Sequence, residues 1–590
     1  MINLDILKAT LLAIYLLVSM VGGGSFVNRK LKISGNIAIA FAVGYSIYAL
    51  ISYALYFFIP PPGLYLILAI FLPGIILGAK TWRELFFNAF PQKIKSLFTN
   101  KLILIVFILA AAAYFIVFLN SFTPAKLGDA IDGYMETSRW IFHNGLVSFD
   151  PHDTKYSLMP CLTETIFSFS FTFGNEYMAK IFDGFVSLVF LWLVYSFARR
   201  RMSKGASLIL AISFSLIYDF QWLVGGGKID IVTQCIYIAS LYLLFYDIDM
   251  GKAKFNNLII SSLLFIVCMA SKYTNFIFVP LHACMVLYYF YTKRIDAKLL
   301  VRLILFSVIA FIVILGVHFV RDFYFVSNPF APFNNPLFKN NIPLREHIFG
   351  DDGSIYSVKE FLLFPYTFFI KHPIFPFTFL FALTLFIISL RKFGLRKNIP
   401  FLIICFQALV WIAVFKSGWM DFRYIFGLGL VFNIYLFGAF DMTGNSALIQ
   451  KIVFVFLGLN CLYSIYENKR FLHGIDIALN RSTERQWQEN ENVRSANLVR
   501  DIRTKLDSAD KLFLVSGRII YYVPYESLKY TSTDVEMIEI KDVGDKLKYL
   551  KDRNFKYGFV SNAYGKETPA FIKDNKVVIS DKDGEIFQVY

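Results

Sequence analysis

Residues 101–120 read KLILIVFILAAAAYFIVFLN, and residues 121–144 continue SFTPAKLGDAIDGYMETSRWIFHN. Apart from Lys101, Tyr114 and Asn120 the first stretch is apolar, and about 20 such residues wound as a helix cross ~30 Å of hydrocarbon. The second stretch breaks the pattern at once with Pro124, Lys126, Asp129 and Asp132. Between Ser121 and Leu158 the chain gathers Asp129, Asp132, Tyr134, Glu136, Arg139, His143, Asp150, His152 and Asp153. Acids, bases and hydrogen-bonding groups therefore crowd the point where a helix leaves the membrane. Charge beside hydrocarbon is costly to desolvate, so a cluster placed there is a functional candidate.

The remainder of the 590-residue chain repeats the apolar theme. It is 57% hydrophobic and 17% charged, with 66 Phe, and its apolar residues fall in blocks of about 17 to 27, the length that spans a bilayer. About fourteen such blocks are expected, among them residues 4–27, 33–59, 63–79, 101–120, 177–198, 205–224, 229–247, 257–271, 275–292, 299–320 and 450–467. The first block has no small-residue cleavage site and a second follows closely, which predicts a retained helix rather than a signal peptide. The fold class expected is an all-α polytopic membrane protein with amphipathic juxtamembrane helices in the first large outer loop and a small soluble α/β domain at the C-terminus.

The formal charge of +16 is spent on topology. Basic groups sit in alternate connections: Arg29, Lys30 and Lys32; Lys93, Lys95 and Lys101; Arg199, Arg200, Arg201 and Lys204; Lys293 and Arg294; Arg391, Lys392, Arg396 and Lys397. The positive-inside rule places these turns in the cytoplasm. Residues 121–176, the Gly225–Asp230 turn, residues 321–372, the Lys416–Arg423 turn and the C-terminus then lie outside, and no nucleic-acid partner is implied. Six cysteines lie scattered, mostly within the spans, and read as small apolar packing residues. Three regions result: residues 1–98 with three spans and an inner-leaflet amphipathic stretch, residues 99–467 as the main membrane body, and residues 468–590 as an extracytoplasmic α/β domain with mixed charge and no phosphate-binding loop.

Candidate chemistry collects on the outer face. Asp129 and Asp132, three apart, share a face if helical; each reads either as a general base for an attacking hydroxyl or as a solvated loop acid or helix cap. The glycines of Gly225–Gly226–Gly227–Lys228–Ile229–Asp230 let a backbone approach a ligand, and the helix that follows favours an anion; the same residues also suit a flexible turn. Lys272, in Ser271–Lys272–Tyr273–Thr274 between two apolar spans, meets a phosphate or carboxylate or else snorkels to headgroups. Arg321 and Asp322 end another span, and Asp421, Arg423 and Tyr424 begin a late one, with Arg423 suited either to phosphate or to pairing with Asp421. Glu164 either contacts sugar hydroxyls or caps its helix. No Walker loop, nucleophile elbow or dinucleotide fingerprint is present, which disfavours ATP hydrolysis and redox chemistry.

This ordered set resembles the GT-C superfamily of polytopic glycosyltransferases, especially bacterial members similar to protein O-mannosyltransferases and to lipid A or lipopolysaccharide core sugar transferases. The resemblance covers roughly residues 100–440 and rests on Asp129–Ala130–Ile131, Tyr134, Gly145, Ser157 to Pro160, Glu164, Ala179–Lys180, Lys228–Ile229–Asp230, Ser271–Lys272–Tyr273–Thr274, Arg321 with Asn328–Pro329, and Arg423–Tyr424. It implies a sugar donor carried on polyprenyl phosphate and a lipid, glycan or protein acceptor. Asp129 takes the acidic position of the outer loop, as base or metal-site group, with Asp132 its competitor. Lys228, Lys272, Arg321 and Arg423 hold the phosphate, and Tyr134, Glu164, Asp230, Tyr273 and Tyr424 complete the substrate site. No cofactor is certain; a divalent cation, Mg²⁺ or Mn²⁺, would be shared by Asp129, Asp132 and His143. Met135 stands where many relatives have His, so the resemblance assigns that position no role.

Single displacement with inversion is the expected course. Two other classes stay open: a transporter or flippase of lipid-linked glycans, for which polar groups within spans such as Asp183 and Asp219 speak, and a noncatalytic scaffold for envelope assembly. A bacterial inner membrane with the site on the periplasmic side fits the charge pattern, as does an endoplasmic reticulum protein with its site in the lumen.

Overall fold

The computed structural model describes residues 3–84, 101–125, 130–147, 158–248, 252–331, 337–338, 399–400, 402–407, 410, 426–441, 446–482, 511–516, 543–552, 555–561, 576–581 and 584–588. The N-terminal part runs α1 (Leu4–Lys30), α2 (Ile37–Leu55), α3 (Leu64–Glu84) and α4 (Lys101–Phe118), which ends in a 3-10 turn, Leu119–Phe122. The outer segment contributes a π-helical turn, Ala130–Tyr134, then α5 (Met135–Asn144) and α6 (Glu164–Phe167) with a 3-10 turn, Ser168–Phe173. The body continues with α7 (Tyr177–Ala198), α8 (Lys204–Ser215), α9 (Tyr218–Leu223), α10 (Asp230–Leu244), α11 (Phe255–Ser271), α12 (Val279–Tyr291), α13 (Ala297–Val326), α14 (Phe426–Asp441), α15 (Ser446–Glu467) and α16 (His473–Ala478). Among the described residues seven helical segments are long and apolar enough to cross a membrane, with four shorter apolar helices between them. The protein is an integral membrane protein.

Caps begin the helices where the sequence offers them. Asn3, Asn36, Ser203 and Asp296 each accept a hydrogen bond from a first-turn backbone N–H, as Asp296 does from Leu299 at 2.7 Å, satisfying donors that have no partner inside the helix. The expected span over 205–224 is instead broken. Ile217 is extended between α8 and α9, and the Gln221 amide donates to the Ser215 carbonyl oxygen, 3.0 Å, and to Ser464 Oγ, 2.7 Å, which replaces helical bonding lost at the break. α13 buries Leu303, Ala310, Ile314, His318 and Arg321 along one face while Val301, Ile304, Val308, Ile312 and Val320 stay exposed. That is the apolar outer face of a lipid-facing helix.

The basic turns converge on one end. The backbone N–H of Ser34 donates to Asn257 Oδ1, 3.0 Å, and Asn256 donates to the Leu31 carbonyl, 2.7 Å, joining the α1–α2 turn to the start of α11. Arg200 reaches the Tyr246 carbonyl with its guanidinium 3.5 Å from that ring centroid, and Arg294 reaches the carbonyls of Asp247 and Ile248. Buried Asp247 accepts from Lys254 N, 2.8 Å, and Asn257 Nδ2, 3.1 Å. Four connections are thus fastened together, as the charge pattern requires of turns on one side of a membrane.

Helices α1, α2 and α3 approach backbone to backbone. A Cβ on Gly24 would overlap the Ala40 carbonyl, one on Gly44 the Met20 carbonyl, and one on Gly22 the Gly74 carbonyl. Small residues permit such contact in lipid, where apolar side chains gain little from burial. α1 and α2 also pack on α7, in one continuous core that includes α10 and α11. The expected interfacial helix over 158–173 is shorter and more buried than its amphipathic pattern suggests: Leu158, Ile166, Phe167 and Phe169 are all covered. The phenol of Tyr45 on α2 donates to Thr163 Oγ1, 2.9 Å, and Ser168 Oγ pairs with Tyr56, 2.5 Å, so α2 draws the segment inward.

Towards the C-terminus, β1 (Lys511–Ser516), α17 (Val543–Asp552), β2 (Phe555–Ser561), β3 (Val577–Asp581) and β4 (Gly584–Gln588) build a sheet of order β1-β2-β4-β3. β1 and β2 are parallel, with α17 in the crossover, and β4 runs antiparallel to both β2 and β3.

Substituting Gly44→Leu should lower stability by about 3 kcal/mol or more, because no rotamer clears the Met20 carbonyl. Gly63→Ala, which meets nothing within 4 Å, should be near neutral. Thermal melts of both variants in detergent check this.

Candidate active site

The outer end of α4 fixes the glycine turn. Asn120 Nδ2 donates to the Val224 carbonyl, 3.0 Å, and Thr123 Oγ1 donates back to the Asn120 carbonyl, 2.8 Å. Gly225 has φ +61° and donates its N–H to Asp183 Oδ2, 3.2 Å; a Cβ there would lie 2.7 Å from Ser121 N. Gly227, at φ +78°, passes within van der Waals reach of Lys180, Ala130 and Met135. The left-handed backbone and the close passage both require glycine. The turn therefore joins α4, α7 and the π-helical turn of the outer loop before it opens α10.

Three buried or nearly buried ammonium groups meet here. Lys272 Nζ lies 2.6 Å from Asp230 Oδ1 and 5.4 Å from the Tyr134 ring centroid. Lys228, 2% exposed, stacks its ammonium 4.1 Å from the Trp222 ring centroid, a cation–π contact. Lys180 donates to the Thr123 carbonyl. Carboxyls interleave with them: Asp183 interacts electrostatically with both Asp230 and Lys180, and Glu176 accepts from Ala125 N, 3.0 Å. Glu164 is fully covered, and its Oε2 has no hydrogen-bond partner among the described residues. Burial pushes the Glu164 carboxyl up to about 8; its own backbone N–H and Lys272 oppose the rise and Asp230 adds to it. The unionised acid is thus the form the site favours.

A second network begins one residue beyond Lys272. The Tyr273 hydroxyl and His318 Nε2 are 2.8 Å apart, and the same nitrogen lies 3.1 Å from Asp322 Oδ2. Arg321 donates from Nε, 3.1 Å, and Nη2, 2.9 Å, to Asp322 Oδ1. Nearby Cys161 is pushed up to about 12 by burial, against the pull of Arg321. Arg321, expected from the sequence beside a phosphate, is engaged by its own neighbour.

The structure brings Tyr134, Glu164, Lys228, Asp230 and Lys272 into one cluster, with Tyr273 and Arg321 alongside. Asp132 lies in the π-helical turn Ala130–Tyr134, next to the glycine turn, and its side chain is outside the described residues. Asp129, Asp150, His152, Asp153, Asp421, Arg423 and Tyr424 are also outside them. His143 sits exposed at the end of α5, its ring edge-on to Phe142. Among the described residues no three His, Cys, Asp or Glu are grouped to hold a metal ion. In the sequence, Glu176 and His318 had no assigned role, Lys180 was named only within the resemblance, and Asp183 only as a group that speaks for transport. Lys180 carried one signal, an ammonium one turn inside an apolar helix, and Asp183 another, a carboxylate within the same span.

This helical architecture recurs in a solved structure. The crystal structure of ArnT from Cupriavidus metallidurans bound to undecaprenyl phosphate shares it at 15% identity, over 82% of this chain and 98% of that one, with a TM-score of 0.52. The archaeal oligosaccharyltransferase AglB from Archaeoglobus fulgidus, in complex with an inhibitory peptide and a dolichol-phosphate, aligns at 12% identity over 78% of this chain and 69% of that one, with a TM-score of 0.42. At such identities the likeness to ArnT establishes the fold. No family model and no curated protein matches the sequence.

The buried carboxyl sets a pH dependence. Glu164 holds its proton to about 8 in the folded protein against an ordinary 4.5, so between these values the folded state binds a proton that the unfolded chain has released. Its contribution to stability is full below 4.5 and is lost as pH rises to about 8. Thermal melts across this range should fall with pH in the wild type and flatten in Glu164→Gln.

Proposed function

We propose that the protein transfers a sugar from a polyprenyl-phosphate donor to a lipid, glycan or protein acceptor on the outer side of a bacterial inner membrane. One observation carries this reading: Lys180 and Lys228, both buried, and the part-buried Lys272 lie at the end of the bundle opposite its basic turns, in a chain with the fold of a protein crystallised with undecaprenyl phosphate. Buried ammonium groups at a membrane interface are expensive unless they meet anions. Glycosyl transfer from a lipid phosphate supplies such an anion.

As the bond between the anomeric carbon and the phosphate oxygen breaks, negative charge grows on the phosphate. Lys228 and Lys272 would stabilise that charge more in the transition state than in the ground state. Asp230 orients Lys272, and the Tyr134 ring covers its ammonium. An aspartate of the outer loop, Asp129 or Asp132, would accept the proton of the acceptor hydroxyl as its oxygen attacks from the opposite face, giving inversion. Arg423 and Tyr424 would complete the substrate site, and Arg321 and Tyr273 support it through Asp322 and His318. Asp129, Asp132 and His143 stand as the groups for a Mg²⁺ or Mn²⁺ ion, and no step here depends on one. The C-terminal sheet and α17 would face the same side as the site and receive the acceptor.

Membranes carrying the protein should transfer radiolabelled sugar from a panel of polyprenyl-phosphate sugars. Lys272→Met should cut the rate about 100-fold or more, and Asp129→Asn or Asp132→Asn should abolish it while leaving the protein folded. Uptake or scrambling of glycolipid without a new glycosidic bond would overturn the reading, and a product with retained configuration would overturn the single displacement.

A further inference from the structure

Among the described carboxyls, Asp230 lies 2.6 Å from the Lys272 ammonium and Glu164 interacts electrostatically with both of them. An ionised Glu164 would repel a phosphate brought to Lys272 in a medium that screens it poorly, and a protonated one would not. Asp230 is paired to Lys272, Asp183 accepts from Gly225 N, and Glu176 accepts from Ala125 N. The Lys272 ammonium favours the ionised form of Asp230, while Asp183 Oδ1 has no hydrogen-bond partner among the described residues. Glu164 is fully buried with Oε2 unpartnered among the described residues, and its segment is pinned by Tyr45 through Thr163, by Tyr56 through Ser168, and by Leu162 N bonding to the Ala270 carbonyl at 3.3 Å. The carboxyl is held close to the end of α11 that presents Lys272.

We propose that Glu164 serves the site as a neutral carboxylic acid and donates a hydrogen bond to a phosphate oxygen of the lipid carrier, so that the anion is accepted only while this carboxyl keeps its proton. The proposal rests on the reading that the carrier phosphate lies at Lys228 and Lys272. It makes Glu164 a proton-dependent latch on donor binding and product release.

Other titratable groups surround the segment. On α5, Glu136 and Arg139 are paired at 2.5 Å, and His143 is exposed. On α2 and in the approach to α6 lie Tyr45, Tyr48, Tyr53, Tyr56 and Cys161, neutral phenols and a thiol; on α7 lie Tyr177, Lys180 and Asp183; across the cluster lie Lys272 and Asp230. The second ionisation of a phosphate monoester falls near ~6. A change in affinity around pH 8, where burial places the Glu164 carboxyl, is assigned to Glu164 or to another group of the cluster by comparing the wild type with Glu164→Gln.

The test is binding of undecaprenyl phosphate to the full-length protein in phosphatidylcholine nanodiscs from pH 6 to pH 9.5. Wild-type Kd should weaken above pH 8, approaching about tenfold per pH unit, and Glu164→Gln, which stays neutral and keeps an N–H donor, should lose that fall. The same fall in both proteins overturns the role of Glu164 and leaves the carrier site standing. No binding by the wild type at any pH overturns the carrier-phosphate reading itself. An infrared difference spectrum of the wild type at pH 9 needs no variant: adding undecaprenyl phosphate should increase carboxylic-acid absorption, and an unchanged band counts against the proposal.

Discussion

The 2.6 Å contact between Lys272 and Asp230 is the interaction on which the outer end of the bundle depends. It joins the first residue of α10 to the break after α11, two points separated in the chain by the whole length of both helices. Desolvating both ions costs several kcal/mol each, recovered only with good geometry and further hydrogen bonds. The surroundings supply such geometry. The glycine turn delivers Asp230 at the start of its helix, Asp183 and Asn120 hold that turn, and the Tyr134 ring covers the ammonium. Removing either partner would take from the other its 2.6 Å counter-ion in a poorly solvated place.

Much of this was legible in the sequence, for reasons that differ by residue. The apolar blocks give the helical body directly, because hydrocarbon thickness leaves few alternatives, and the basic turns do gather at one end of it. Lys228, Asp230 and Lys272 stand out because charge at the end of an apolar run is conspicuous. That Asp230 and Lys272 bond to each other is not legible, since 42 residues separate them and only tertiary packing decides which ends meet. Arg321 looked like a phosphate ligand for its charge and position; its engagement by adjacent Asp322 depends on side-chain direction along α13, which spacing does not specify. The break between α8 and α9 and the depth of the 158–173 segment escaped for a similar reason. Local apolarity resembles that of a span or a surface helix, and the deciding partners, Ser464 and α2, lie far away in the chain.

The two ends of the molecule are built differently. At the basic end, four turns share hydrogen bonds around Asp247, Asn257 and Arg294, so the helices are fastened together there. At the other end, charged side chains, Lys272 with Asp230 and Lys180 beside Asp183, stand among the contacts between helices. The C-terminal segment reaches this end too. α16 packs on the 3-10 turn that carries Asn120, with Gly474 against the Leu119 carbonyl, and the Ala478 carbonyl accepts from Asn3 N, 2.9 Å, at the start of α1. The chain leading to the C-terminal sheet is thereby attached to the wall of the site.

The glycine contacts among α1, α2 and α3 bear on traffic through the bilayer. Where the carbonyls of Ser19, Met20, Ala40 and Gly74 sit against opposing glycines, the backbones leave no crevice that an isoprenoid tail could slide through. Between these three helices there is no lateral doorway, and a lipid chain entering the protein would have to pass elsewhere.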